Sequence, residues 1–291
     1  MFRIGTLADW FGKGPVEGIR ESRKCGAEGV QLYASNELDP RTVRPETVRA
    51  VRDTAGECGQ EVTALCGELG GHGLEIAAGN PQKIDYLKRV VDLALELGCR
   101  IVTTHIGIVP ADRMSEKYAV MKRACVEIGA YAASRGAVAA IETGPEPVAR
   151  LAAFVDACNG EEGGGNRGIG INYDPANLVM VTGDDEVQGV RLAAGAIVHT
   201  HAKDGRMNHF AGPEEVYGLF ARGGIDALTR VSAWFTETPL GQGSVRWIPY
   251  LMALKETGYD GYLAIEREVK ENAAEDIAAA VNFLKDLIPQ L

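Results

Sequence analysis

The sequence predicts an α/β fold, a single-domain (β/α)₈ TIM barrel that spans residues 1–291, and three observations favour it. The chain has 291 residues, a length that suits a barrel of about 250 residues with insertions. Short apolar runs alternate along the chain with segments of helical periodicity. Eight such pairs occur, and this alternation implies parallel strands joined by crossover helices. An open doubly wound sheet is the alternative, but no Gly-x-Gly-x-x-Gly motif opens the first predicted helix.

The predicted strands are short apolar runs that end at a turn or at a polar residue. In chain order the predicted strands are Phe2–Leu7, Val30–Tyr33, Val62–Cys66, Ile101–Ile106, Ala137–Glu142, Ile169–Tyr173, Ile197–Ala202 and Tyr262–Ile265.

The predicted helices have apolar residues at helical spacing and recognisable ends. Pro45 lies in the first turn of the second helix, and Gly59 follows its end. The third helix has Asn80 as its predicted N-cap, Pro81 at the first helical position and Gly98 as its C-terminal cap. The other predicted helices are Val16–Lys24, Pro45–Cys58, Ser115–Ser134, Val148–Cys158, Asp184–Ala194, Trp247–Thr257 and Ala273–Leu287.

A long segment, Lys203–Arg246, separates the seventh predicted strand from the helix that follows it. The segment contains Pro213, Trp234, Pro239 and several glycines. We expect a loop insertion over residues 203–246, with short helices, above the C-terminal mouth of the barrel. Barrel enzymes carry their substrate-binding loops at that mouth.

Composition and charge restrict the partners of the chain. The formal net charge is −10, which disfavours a nucleic-acid partner because such proteins need a basic surface. No apolar run approaches the roughly 18 residues that a membrane span requires, so no membrane association is expected. The six cysteines have no Cys-x-x-Cys spacing, and we interpret them as reduced thiols of a cytoplasmic protein. The sequence leaves open whether the chain forms a homo-oligomer.

Four consecutive predicted strands end in residues that can bind a metal. Strand five ends in Glu142, strand six in Asp174, strand seven at His201 and strand eight in Glu266. The C-terminal ends of barrel strands meet at one mouth, where three carboxylates would repel one another. A single bound divalent cation would relieve this repulsion. The oxygen-rich ligand set suits Mn²⁺ first, then Mg²⁺ or Co²⁺, with Zn²⁺ as a further alternative.

The motifs around these residues resemble the xylose isomerase-like TIM-barrel superfamily. That group includes sugar-phosphate isomerases and epimerases, ketose 3-epimerases, inosose dehydratases and endonuclease IV. The resemblance covers essentially the whole chain, because each motif falls on the corresponding strand. The motifs that carry it are Ile141–Gly144, Asn172–Asn177, His199–Asp204 and Ala264–Glu268.

The resemblance implies a metal-dependent isomerase or epimerase of a ketose, keto-sugar or sugar phosphate. The implied metal ligands are Glu142, Asp174, His201 and Glu266. Glu142 and Glu266 would also be the catalytic acid/base pair, which moves a proton beside the substrate carbonyl through an enediolate.

Three alternatives remain beside this function. The first is a dehydratase or lyase of an inosose or keto-sugar that uses the same metal. An endonuclease IV-like nuclease is disfavoured, because only five histidines are present and Asn177 stands where a further histidine is expected. A non-catalytic sugar-binding barrel is disfavoured by the complete set of four ligands.

Several residues near the mouth are candidate substrate contacts. His199 shares a strand face with His201, and packing one layer deeper is its favoured role. Lys203 would contact a hydroxyl or phosphate group or form an ion pair, and Trp10 would stack on a sugar or belong to the core. The substrate-binding candidates are His105, His199, Lys203, Arg206, Trp10 and Glu68.

Overall fold

In the part of the chain that the structure describes, eight strands form a barrel and two more strands pair with each other. The computed structural model describes residues 2–160, 165, 167–223, 232–268 and 272–291. Within these ranges the strands are β1 (Arg3–Leu7), β2 (Gly29–Tyr33), β3 (Glu61–Cys66), β4 (Ile101–Thr104), β5 (Val138–Glu142), β6 (Ile169–Tyr173), β7 (Ile197–Ala202), β8 (Asp204–Met207), β9 (Phe235–Thr238) and β10 (Tyr262–Ile265).

Helices follow the barrel strands and cover the outside of the sheet. In the described ranges they are α1 (Gly14–Cys25), α2 (Pro45–Glu57), α3 (Asn80–Glu96), α4 (Glu116–Ser134), α5 (Val148–Asn159), α6 (Pro175–Asn177), α7 (Glu186–Leu192), α8 (Pro213–Gly223), α9 (Trp247–Glu256) and α10 (Ala273–Leu287). None of these helices is both long and apolar enough to cross a lipid bilayer.

The sheet closes into a parallel barrel, which confirms the predicted fold. Its strand order is β1-β10-β7-β6-β5-β4-β3-β2, and β1 pairs in parallel with both β10 and β2. The core lies between the strands and the helices, where buried residues of β6 and α9 meet. There the rings of Tyr173 and Tyr250 stack with their centroids 5.9 Å apart.

Several predicted helix and strand ends differ from the structure. Strand β4 ends at Thr104, two residues before the predicted end at Ile106. The prediction that Asn80 caps α3 is wrong, because Asn80 is the first helical residue and its side-chain amide donates to the Leu74 carbonyl. After β6, the short helix α6 and a π-helix at Leu178–Thr182 were not predicted.

The segment between β7 and α9 contains more regular structure than the predicted loop. Strands β8 and β9 form an antiparallel hairpin with Asp204 opposite Thr238 and Met207 opposite Phe235. Helix α8 lies between these strands in sequence. Residues 224–231 of the predicted insertion lie outside the described residues.

Candidate metal centre

The four predicted metal ligands come together at the C-terminal mouth of the barrel. Glu142 ends β5, Asp174 follows β6, His201 lies in β7 and Glu266 follows β10. These four strands are neighbours in the sheet, so their ends project side chains into one space. One potential ligand atom from each of the four residues lies within 4.8 Å of the others. All four side chains are buried.

Glu142, Asp174, His201 and Glu266 are called the quartet below, and His201 lies at its centre. Its Nδ1 atom is 3.3 Å from Glu266 Oε2, 3.4 Å from Glu142 Oε1 and 3.9 Å from Asp174 Oδ2. Burial acts to lower the pKa of His201, but Glu142 and Glu266 outweigh it and raise this pKa well above its ordinary value. A metal ion would therefore compete with a proton for this ring nitrogen.

Two buried atoms of the quartet lack a hydrogen-bond partner. They are Nδ1 of His201 and Oδ2 of Asp174. A buried carboxylate oxygen and a buried ring nitrogen are costly to leave unsatisfied. Three oxygen ligands and one imidazole nitrogen are a donor set for a divalent cation. The residues present therefore fit the metal that the sequence predicts.

Gln31 contacts the Nε2 side of the His201 ring. The Gln31 side-chain amide donates to Thr103 Oγ1 at 3.0 Å, so its oxygen is the atom 3.1 Å from His201 Nε2. Asn172 Nδ2 lies 3.2 Å from the same ring nitrogen, so Nε2 faces one hydrogen-bond acceptor and one donor. The other ring nitrogen, Nδ1, faces the three carboxylates. The sequence analysis did not identify Gln31.

The two oxygens of Asp174 have separate roles. Oδ1 caps α6, because it accepts hydrogen bonds from the backbone N–H groups of Ala176 at 2.7 Å and Asn177 at 3.2 Å. Thr143 fixes the Asp174 backbone, since its hydroxyl accepts from Asp174 N at 2.8 Å. The other oxygen, Oδ2, faces the remaining three residues of the quartet. An aspartate that both caps a helix and binds a metal is restricted to one rotamer.

Two asparagine amides fix the Glu142 carboxylate. Asn172 Nδ2 donates to Glu142 Oε2 at 3.0 Å, and Asn177 Nδ2 donates to Glu142 Oε1 at 3.1 Å. Both asparagines lie inside the Asn172–Asn177 motif, although the sequence analysis gave neither of them this role. Asn177, where a nuclease would have a further histidine, thus orients Glu142 in this structure.

A buried lysine pairs with the fourth ligand. Lys203 Nζ lies 3.0 Å from Glu266 Oε2, 3.4 Å from Glu268 Oε2 and 3.8 Å from Glu237 Oε2. Burial acts to raise the pKa of Glu266, but Lys203 and His201 lower this pKa below its ordinary value. Of the two roles expected for Lys203, the structure places it in the ion pair. Glu237 comes from β9, so the pair also joins the hairpin to the barrel.

His105 and Glu68 lie beside the quartet as a pair. His105 Nδ1 is 2.9 Å from Glu68 Oε1, and its Nε2 is 3.6 Å from Glu142 Oε1. Burial acts to lower the pKa of His105, but Glu68 and Glu142 outweigh it and raise the pKa to about 10. One ring nitrogen of His105 thus faces Glu68 and the other faces Glu142. This position suits the substrate contact predicted for it.

His199 lies one layer deeper in the barrel than His201. Its Nδ1 donates to Asn172 Oδ1 at 2.9 Å, and its ring stands edge-on to that of His201 with centroids 5.9 Å apart. Burial and the neighbouring His201 lower the pKa of His199 to about 3. His199 is thus a neutral ring that supports Asn172, as the favoured expectation of a packing role describes.

The other two candidates lie farther from the quartet. Trp10 belongs to a 3₁₀ turn at Ala8–Phe11 and packs partly buried against the core. Arg206 is exposed on β8, opposite Thr236. Among the described residues, no hydrogen bond or ion pair joins Trp10 or Arg206 to the quartet.

Comparisons with known proteins place the fold in context. A sequence-family model described as xylose isomerase-like TIM barrel matches residues 19–287. No curated protein matches the chain significantly. The chain is similar to a xylose isomerase domain protein from Planctomyces limnophilus, with 25% identity over 99% of this chain and 97% of the other, and a TM-score of 0.78.

Two further solved structures share the fold at lower identity. One is an L-ribulose 3-epimerase, with 15% identity, 100% of this chain and 95% of the other covered, and a TM-score of 0.71. The other is a xylose isomerase-like TIM-barrel protein from Mycobacterium smegmatis in complex with magnesium, with 13% identity, 100% and 97% covered, and a TM-score of 0.70. The family match over most of the sequence shows that this chain belongs to the xylose isomerase-like TIM-barrel family.

Proposed function

We propose that this protein is a divalent-metal-dependent isomerase or epimerase of a ketose, keto-sugar or sugar phosphate. The observation that carries the proposal is the buried quartet in which Asp174 Oδ2 and His201 Nδ1 lack hydrogen-bond partners. An L-ribulose 3-epimerase has the same fold, so this barrel can carry a reaction of this class. Fold alone does not identify a reaction, so the argument depends on the quartet.

The proposed metal ligands are Glu142, Asp174, His201 and Glu266. The cation, when bound, would polarise a carbonyl and an adjacent hydroxyl of the substrate and so acidify the carbon between them. Mn²⁺ is the first candidate, and Mg²⁺, Co²⁺ and Zn²⁺ are alternatives. A magnesium-bound neighbour of the same fold is in line with a hard cation at such a centre.

Glu142 and Glu266 are the proposed acid/base pair. Proton transfer beside a carbonyl needs one group to remove a proton and another to return it. Glu142 is fixed by the amides of Asn172 and Asn177, and Glu266 by Lys203. Two carboxylates oriented from different strands suit removal and return on different sides of one carbon.

The proposal extends to the remaining properties of the chain. We propose that residues 1–291 form one domain and that residues 203–246 cover the mouth of the barrel. The substrate would be a small sugar, with no nucleic-acid partner, and the protein would act in the cytoplasm. His105, Glu68 and Lys203 surround the quartet and are the strongest candidates for contact with a substrate or for orienting its ligands.

Metal content and proton exchange test this proposal together. The purified protein is analysed for metal, loaded with Mn²⁺ and incubated in D₂O with a panel of ketoses and sugar phosphates. We expect about one ion per chain and deuterium at a carbon next to the carbonyl. Glu142→Gln and Glu266→Gln should each lose at least about 100-fold in exchange rate, within the range of general acid–base catalysis. Glu61→Gln, an exposed glutamate of β3, is the matched control and should exchange like the original protein.

The other possible results of these measurements would favour a different function or contradict the proposed one. Loss of water from the substrate would favour the dehydratase alternative, which uses the same ligands. A protein that binds no divalent metal would overturn the proposal. Full activity of either Gln variant would remove that glutamate from the acid/base pair.

A further inference from the structure

Helix α8 brings Tyr217 against the mouth of the barrel. Val216, the preceding residue, is only 1% exposed, and Tyr217 packs partly buried against the core. The tyrosine hydroxyl lies next to Gly144, two residues beyond Glu142. A Cβ atom built on Gly144 would lie 2.4 Å from this hydroxyl, so the approach requires glycine. Gly144 also has a φ of +147°, which L side chains rarely adopt.

The Tyr217 hydroxyl lies on the Glu142 side of the quartet. The same Cβ position on Gly144 is 2.9 Å from Cβ of Asn177, whose side chain donates to Glu142 Oε1. Tyr217, Gly144 and Asn177 therefore form one contact group beside this carboxylate. Tyr217 belongs to α8 in the segment between β7 and α9, so this group joins that segment to the ends of β5 and β6.

The surroundings of Tyr217 keep its hydroxyl protonated. Burial raises the pKa of Tyr217 well above its ordinary value, and Glu142, Glu146 and Asp174 raise it further. A neutral hydroxyl both donates and accepts hydrogen bonds, as does the hydroxyl of a sugar. A carboxylate only accepts them. Tyr217 thus adds a neutral hydroxyl group to this side of the centre.

We propose that Tyr217 contacts the substrate and makes the enzyme specific for a hydroxyl group near the carbon that Glu142 serves. The inference rests on the proposed function, and it assigns a specificity role to a residue outside the four ligands. A site that binds a substrate hydroxyl discriminates against an analogue that lacks it. Removal of the tyrosine hydroxyl therefore removes that discrimination.

The contact between Tyr217 and a substrate hydroxyl is tested by combining one mutation with one change of substrate. Tyr217→Phe should lower kcat/KM for the preferred ketose by about 3- to 10-fold, the range of one net hydrogen bond. For the original enzyme, the deoxy analogue that lacks the contacted hydroxyl should show a similar loss. In Tyr217→Phe that same analogue should react about as well as the ketose. Tyr131→Phe is the control, since the Tyr131 hydroxyl donates to Asp92 on the outside of the barrel.

Gly144→Ala gives a second and independent test. The added methyl group should push the tyrosine away and produce the specificity change of Tyr217→Phe. Its folding is checked by circular dichroism and its Mn²⁺ affinity by calorimetry, because the φ of Gly144 also strains alanine. The inference is overturned if Tyr217→Phe discriminates against every deoxy analogue, relative to the ketose, as strongly as the original enzyme does.

Binding of unreactive polyols separates this inference from the proposed function. Ribitol, D-arabinitol and D-glucitol lack the carbonyl, so their affinity for the Mn²⁺-loaded protein does not depend on catalysis. We expect the tightest of them to bind about 3- to 10-fold more weakly to Tyr217→Phe and unchanged to Tyr131→Phe. Equal affinity for all three proteins, or no binding to the original, overturns the role of Tyr217. Failure of deuterium exchange overturns the reaction instead.

Discussion

Three of the four proposed ligands are oriented by a side chain that is not itself a proposed ligand. Gln31 fixes the His201 ring, Asn177 fixes Glu142 and Lys203 fixes Glu266. Such supporting contacts determine which lone pair faces the metal. Without a metal, three carboxylates are buried around one imidazole, and Lys203 pairs directly with only one of them. A bound divalent cation would offset the charge of these carboxylates.

The two histidines of β7 should respond differently to substitution. His201→Asn removes a ligand nitrogen and should lower Mn²⁺ affinity by far more than 100-fold. His199→Asn changes only the support of Asn172, and loss of such support lowers affinity by about 10- to 100-fold. Isothermal calorimetry with Mn²⁺ measures both variants. If His199→Asn binds Mn²⁺ more weakly than His201→Asn does, the proposed ligand is the wrong histidine.

At the scale of elements, one buried carboxylate holds the segment between β7 and α9 in place. Asp204, the first residue of β8, accepts hydrogen bonds from four backbone N–H groups and one indole N–H group. Most of these donors lie in the segment that leads into α9 or at its first residue. These donors belong to Gly205, Gly241, Gly243, Val245 and Trp247. One buried carboxylate thus fastens the hairpin to α9. Arg267, which follows β10, forms an ion pair with Glu237 of β9 and so connects the hairpin to the end of β10.

Replacement of Asp204 should loosen this connection. In Asp204→Ala several buried donors lose their acceptor, and we expect the free energy of unfolding to fall by about 2–4 kcal/mol. Denaturant unfolding followed by circular dichroism measures the change. Asp53→Ala, at an exposed position of α2, should change stability by less than about 0.5 kcal/mol. Equal stability of both variants would show that Asp204 does not fasten the hairpin.

Glu146 joins the segment after β4 to the segment after β5. Its Oε2 accepts from Val109 N at 2.9 Å, and burial raises its pKa from 4.5 to about 8. Between these values the folded protein binds more protons at this site than the unfolded chain does. The contribution of Glu146 to stability therefore falls as pH rises from about 4.5 to about 8.

Glu146→Gln should remove this pH dependence, because an amide oxygen can still accept from Val109 but does not ionise. We expect the variant to gain stability relative to the original protein as pH rises toward 9. Urea unfolding at pH 5, 7 and 9 measures the difference. A stability difference that stays constant across this range would contradict the raised pKa of Glu146.

At the scale of the molecule, the metal should stabilise the closed barrel. The four ligands come from β5, β6, β7 and β10, so one ion would join half of the strands of the sheet. A ligand that binds only the folded state adds about 2.7 kcal/mol of stability at 100 times its Kd.

Thermal unfolding with and without Mn²⁺ tests this stabilisation. We expect Mn²⁺ to raise the Tm of the original protein and EDTA to lower it again. In His201→Asn, Mn²⁺ should leave the Tm nearly unchanged. A Tm that rises equally in both proteins would place the ion outside the quartet.

The sequence by itself determined the barrel and its four proposed ligands. Alternation of apolar strands and amphipathic helices is a local pattern, and it required parallel strands with crossovers. Parallel strands end at the same mouth, so Glu142, Asp174, His201 and Glu266 converge whatever the details of packing. The helix ends were predicted less accurately, because a polar side chain near a helix end has several possible hydrogen-bond partners. Asn80 was predicted to cap α3, but its side chain donates to the Leu74 carbonyl instead.

Only the tertiary structure decided which residues support the ligands. Gln31 and His201 are 170 positions apart, and they meet because the barrel closes with a particular stagger of its strands. Tyr217 and Gly144 are 73 positions apart, and the path of the segment after β7 brings them into contact. Such contacts depend on strand register and loop path, which side-chain packing fixes across the whole molecule and no local pattern encodes.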